Sequence, residues 1–166
     1  MDAMVGTNFD VICADAMAAG ITGFDLEQAY QAAWRNASAR SRDPRHGRHE
    51  ILEAIRRGYV DASVPESVSW TLEGAINDAG AAAMARQLAR HARGERASDL
   101  RAQAQFLASR ARAVTALWDG EVGFFRPRNH DGTWADEPCD PRLWGGGHTE
   151  TNAWGSRFSI PHDGGL

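Results

Sequence analysis

Residues 64–90 read VPESVSWTLEGAINDAGAAAMARQLAR, and the spacing of their apolar side chains decides the fold class. Val68, Leu72, Ala75, Ile76, Ala79, Ala83, Met84 and Leu88 recur at helical intervals. That spacing predicts a long helix after VPES with these side chains facing inward. Its many Ala and Gly residues leave little side chain between backbones, so a neighbouring helix can approach closely.

The same period extends to both sides. In NFDVICADAMAAG, Phe9, Ile12, Cys13, Ala16 and Met17 share a face, and Gly20 suits the C-terminal cap. Asp25 with Gln28 three residues later forms a capping-box pattern, followed by the stripe Leu26, Tyr30, Ala33, Trp34 and Ala37. SRDPRHGRH is a polar connector. A short helix with Ile51, Leu52 and Ile55 follows and ends at Gly58. Beyond ARGER a further helix, capped at Ser98, carries Leu100, Phe106, Leu107, Ala111, Val114 and Leu117. Period-2 alternation is missing, so the reading is all-α without a substantial sheet.

Length and composition narrow the function class. At 166 residues with 43% hydrophobic and 24% charged side chains, the chain fits one globular domain. A net charge of -4 supplies no basic field for nucleic acid. All eighteen positive charges are Arg, which carries no functional reading. Cys13 and Cys139 lie far apart without CxxC spacing and read as two thiols. No apolar run approaches the roughly 20 residues of a membrane span. The first ten residues lack the basic and apolar regions of a signal peptide.

From Trp118 the character changes. DGEVG, RPRNHDG, DEPCDP and WGGG place turn residues in quick succession, and four of the six tryptophans (118, 134, 144 and 154) lie from here onward. A stretch of this length without periodicity is usually functional, so a site is expected here.

The cluster HTETNAWGSRFSIPHDGGL, residues 148–166, has the make-up of a sugar site. Aromatic faces cover the apolar face of a pyranose, while Asn, His, Asp and Arg match its hydroxyls. A carboxyl shielded by an indole holds its proton more readily, which suits protonation of a leaving-group oxygen. Other readings compete. Glu150 can serve the first turn of a helix beginning near Thr149, offsetting its dipole. His148, Glu150, His162 and Asp163 can form a metal site, although their spacing matches no established zinc pattern. RPRNHDG can clamp an anion or simply form a structural Arg pair, and Trp118 reads as core.

These residues resemble glycoside hydrolase family 92, the calcium-dependent exo-acting α-mannosidases. The family pattern E-G-N-A-W-Q-Y followed by P-H-D-x-x-G-L is matched by ETNAWGS, RFSI and PHDGGL. GFFRPRNHDGTW is similar to G-F-x-R-x-R-N-x-D-G-x-W, and ESVSWTLEGAINDAG to S-V-S-x-T-L-E-x-A-x-x-D, with GYV before it. MVGTNFDVICADAMAAGITGFDLEQAYQAA resembles the segment preceding GYV. The likeness thus runs in order along nearly the whole chain. Thr151, Gly155 and Ser156 depart from the usual Gly, Gln and Tyr, which bears on linkage specificity.

The resemblance implies an (α/α)6 barrel, of which residues 1–166 would supply about half with a loop-rich C-terminal third. An N-terminal β-sandwich domain and the other half of the barrel would lie outside this chain. It implies an inverting α-mannosidase, acting on mannose-terminated oligosaccharides or N-glycans with α-1,2 linkage expected. Glu150 would be the general acid, and Asn152, Trp154, His162, Asp163, Arg128 and His148 the substrate-contacting candidates. The general base and most calcium ligands would lie outside the chain, with no metal ligand within it. The isolated chain would be inactive, exposing apolar surface where the rest of the barrel belongs, and the parent protein periplasmic or secreted. Alternatives are a non-catalytic helical carbohydrate-binding or scaffold module and another (α/α)6 hydrolase or lyase.

Overall fold

The computed structural model describes residues 5–43, 45–135 and 138–166. It contains α1 (Phe9–Ala18), α2 (Leu26–Ser38), α3 (Ile51–Arg57), α4 (Ser67–His91), α5 (Gly94–Arg112) and α6 (Ala153–Ser156), with a 3-10 turn at Ala113–Leu117. Among the described residues the strands are β1 (Trp118–Asp119) and β2 (Phe124–Phe125), an antiparallel pair of two residues each. The all-α reading therefore holds.

Local chemistry sets the helix ends where expected. The Asp25 side chain accepts a 2.9 Å hydrogen bond from the Gln28 N–H. After α1, the Gly20 N–H reaches Met17 O and the Ile21 N–H reaches Ala16 O, the paired bonds of a Schellman cap. Gly58 closes α3 by donating to Ala54 O. The start of α5 differs: it begins at Gly94, so Ser98 lies inside the helix rather than capping it, and only Ala92 and Arg93 separate α4 from α5.

The main core lies between α1, α2, α4 and α5, where Cys13, Met17, Tyr30, Met84, Leu100 and Leu107 interlock. A second cluster of Tyr59, Val68, Leu72, Val114, Leu117 and Phe125 joins the start of α4 to the small hairpin. Burial along α4 departs from the simple stripe. Ile76, Ala79 and Ala83 border an open groove of about 620 Å³ rather than the core. Asn77 and Asp78 are instead buried.

Those two polar residues have partners that explain their burial. Asn77 Oδ1 accepts the Thr7 N–H at 2.7 Å, and its Nδ2 donates to Asn8 Oδ1 at 3.1 Å, pinning residues 7–8 to α4. Asp78 receives both Arg48 and Arg110, and Arg48 also reaches Asp10 at 3.3 Å. Arg110 donates further to Ala37 O at 2.6 Å, so one ionic knot ties α1, α2, α4, α5 and the segment before α3. Burial pushes the Asp10 carboxyl above the usual carboxylate range despite Arg48 and Thr7.

At Gly80 the close approach anticipated for α4 is real. A Cβ there would lie 3.1 Å from Val11 Cα and 3.2 Å from Asp10 O, both backbone atoms of α1. Gly80→Ala is therefore expected to lower stability by about 1–3 kcal/mol despite Ala's better helix propensity. Urea unfolding monitored by circular dichroism measures this, and a stabilised variant would contradict the packing.

Candidate active site

The loop carrying the candidate acid docks onto the first turn of α4. Gly147 O accepts the N–H groups of Val68 and Ser69 at 3.0 and 3.2 Å, capping donors that a helix start leaves open. A Cβ at Gly147 would fall 3.1 Å from Val68 Cγ2, and its φ of +91° disfavours any other residue. The Thr149 N–H then donates to Ser69 Oγ at 2.8 Å. Beneath the loop His148 is buried, its Nδ1 2.7 Å from Ser156 Oγ. The WGGG turn thus serves as the cap and anchor of α4.

Held by these contacts, Glu150 adopts a left-handed backbone, φ +51°. A non-glycine residue pays of order 1 kcal/mol or more for this conformation. Glu50 and Glu66 share it, both at helix starts. Glu150 belongs to no helix: it lies two residues before Asn152, the N-cap of α6, so the dipole-offsetting role fails.

The Glu150 side chain borders an open cavity of about 340 Å³, shared with Val5, Asn8, Ser69, Leu72 and Glu73 among others. None of its lining residues is aromatic. Trp154, a substrate-contacting candidate, meets Phe124 edge-on at 4.7 Å and lies beside the Arg157 guanidinium. The reason is geometric: α6 turns Trp154 outward, where it is 54% exposed, while Ala153 and Ser156 face in.

The remaining candidates occupy other places. Asn152 Oδ1 accepts the Gly155 N–H and its Nδ2 donates to Arg142 O, so it caps α6 and holds the preceding loop. Arg128 donates to Gly132 O at 2.7 Å and Ala116 O at 2.8 Å, and its guanidinium lies over Trp134. These bonds hold the RPRNHDG turn against the end of the 3-10 segment. His162 bonds Ala111 O at 3.2 Å through Nε2, and with Asp163 it lines the 620 Å³ groove. Asp163 pairs there with Arg112. The four proposed metal ligands therefore do not converge. Among the described residues no three His, Cys, Asp or Glu side chains come together as a metal site.

Two departures from the family pattern prove to be sterically coupled. A Cβ at Gly155 would lie 2.0 Å from Thr151 Oγ1. The larger residue at 151 thus occupies room that a side chain at 155 would need, and both border the Glu150 cavity.

A model of the glycosyl hydrolase family 92 catalytic domain matches residues 1–165. The chain belongs to glycoside hydrolase family 92. Among solved structures, this family 92 chain is similar to an inverting family 92 mannosidase of Bacteroides thetaiotaomicron VPI-5482. They share 30% identity with a TM-score of 0.85, covering 98% of this chain and 21% of that one. Another family 92 α-mannosidase of Bacteroides thetaiotaomicron, in complex with mannoimidazole, gives 27% identity and a TM-score of 0.80, covering 96% and 20%. An uncharacterized secreted glycosidase of Arthroderma benhamiae is 26% identical over 95% of this chain and 23% of that protein. The chain therefore spans about a fifth to a quarter of the length of these family 92 relatives.

Sequence reasoning missed Glu73, Ser69 and the Asn77 anchor. The S-V-S-x-T-L-E match marked the segment, but helical periodicity treats its polar positions as solvent-facing.

Proposed function

We propose that the protein containing this family 92 chain is an inverting, exo-acting α-mannosidase with Glu150 as its general acid. One observation carries the assignment: of the seven candidate residues, Glu150 alone borders the 340 Å³ cavity that Ser69, Leu72 and Glu73 of α4 line, whereas His162 and Asp163 line the separate 620 Å³ groove. Its carboxyl would protonate the departing glycosidic oxygen. A carboxylate from outside this chain would activate water on the opposite face of the sugar, about 6.5–9.5 Å away, as inversion requires. Calcium, a hard cation that takes oxygen ligands, would be held by groups outside this chain. The mannosidase relatives support mannose as the sugar removed, with α-1,2-linked glycans the expected substrates. The secreted relative supports export, and among the described residues no helix is long and apolar enough to cross a membrane.

The test is mannose release from α-1,2-linked mannobiose by the full-length protein, followed by proton NMR. The β anomer should appear first and then mutarotate. Initial release of the α anomer would overturn inversion, and binding without release would leave a non-catalytic carbohydrate-binding module. The 166-residue chain alone should release none, because it carries only the acid.

A further inference from the structure

Glu73 lies two turns into α4 and borders the same cavity as Glu150. Among the described residues no hydrogen bond or ion pair reaches its carboxylate. This differs from Asp10, Asp78 and Asp119, which have Arg partners. A partly buried carboxylate normally recovers lost hydration through donors within the protein. Here burial pushes the Glu73 carboxyl up, and no neighbouring group offsets it.

The surroundings leave room for this side chain. Gly6 lies over it: a Cβ at that position would stand 3.1 Å from Glu73 Oε2 and 3.1 Å from Glu73 Cβ. The segment that carries Gly6 is fixed to α4 by the Thr7 and Asn8 bonds to Asn77, one helical turn beyond Glu73. Across the cavity stand Thr149, Glu150 and Thr151, anchored by Ser69.

We propose that Glu73 is a substrate-contacting residue whose carboxylate hydrogen-bonds hydroxyls of the sugar that occupies the Glu150 cavity. The inference rests on the mannosidase reading and extends it by naming a residue that orients the sugar against the acid. Sugar hydroxyls would replace the water that reaches this carboxylate through the open cavity. A hydrogen bond to a charged group is among the stronger neutral-to-ion contacts, so its removal should be visible in substrate affinity.

The experiment compares wild type, Glu73→Gln and Glu73→Ala in the full-length protein. Mannoimidazole binding is measured by calorimetry, mannobiose hydrolysis by kcat and KM, and folding by thermal unfolding. Glu73→Ala should lower kcat/KM by about 10- to 100-fold and weaken mannoimidazole comparably. Glu73→Gln, which keeps the shape and one acceptor oxygen, should lose less. Neither should lower the melting temperature, and Glu73→Gln guards against a folding failure of the alanine variant. Unchanged kinetics and inhibitor binding in both variants, with activity lost in Glu150→Gln, would overturn the role of Glu73 and leave the mannosidase reading intact. A loss explained wholly by lower thermal stability would overturn it too, as would a collapse of kcat that azide restores, which would make Glu73 the base. A wild type that neither binds mannoimidazole nor releases mannose would sink both readings.

Discussion

Glu150→Gln in the full-length protein should cut kcat for mannobiose by about 10²- to 10⁴-fold while the protein stays folded. The amide fills the same volume but has no proton to give a departing oxygen, so the loss belongs to the chemical step and KM should change little. A substrate with an activated aryl leaving group needs less protonation, and its hydrolysis should fall by a smaller factor. Equal loss on both substrates would argue that residue 150 binds rather than protonates. The left-handed backbone at Glu150 adds a second expectation. Glu150→Gly should be inactive yet more stable, by about 1 kcal/mol, since glycine adopts φ +51° without steric cost. A thermal melt decides this. A gain in stability with loss of activity would identify the strain as one retained for function, and a loss of stability would mean that the Glu150 side chain itself holds the loop.

The second large effect concerns the ionic knot. Asp78 is nearly inaccessible, and Arg48 and Arg110, which converge on it, are almost as deeply covered. Asp78→Asn keeps the shape but leaves two buried guanidinium groups facing a neutral amide, with Asp10 the one remaining carboxylate paired with Arg48 among the described residues. Breaking a buried pair from one side typically costs about 3–5 kcal/mol, so the urea midpoint should fall well below wild type. The knot joins five segments, so the variant should also loosen α1 and with it the Gly6 segment over Glu73. Cavity function is then expected to weaken before global unfolding. A midpoint within error of wild type would show that water or the exposed rim already compensates these charges.

At Glu73 the pH dependence has a definite sign. Its carboxyl is held above the usual range by burial, so the folded protein keeps that proton more tightly than the unfolded chain does. Stability referable to Glu73 is therefore fullest in acid and declines as pH rises from the ordinary glutamate range through the raised one. Glu73→Gln carries no such titration. Its stability relative to wild type should accordingly improve between acid and neutral pH, and the same unfolding measurements read this out.

Much of the fold was legible in order along the chain because helices are local objects. The apolar period found α1 to α5, the Asp25 side chain and Gly58 ended them where expected, and the ordered motifs led to the family and to Glu150. That reading mistook Trp118, read as core but exposed, and the inside of α4. A stripe of apolar residues assigned Ile76, Ala79 and Ala83 to the core, whereas they border an open groove and Asn77 and Asp78 lie buried. Periodicity counts polar residues as solvent-facing, and it cannot see that Arg48 and Arg110, 30 and 32 positions away, arrive to neutralise Asp78. The site divides in the same way. ETNAWGS singled out Glu150 as the candidate acid through its immediate neighbours. That His148 pairs with Ser156 beneath the loop, that α6 turns Trp154 outward, and that the loop bonded through Thr149 to Ser69, 80 residues away, shares a cavity with Glu73 are all set by packing between segments. Local sequence carries the helices and the motif; which polar groups are paired, and which one is left facing the cavity, is settled only when distant segments pack together.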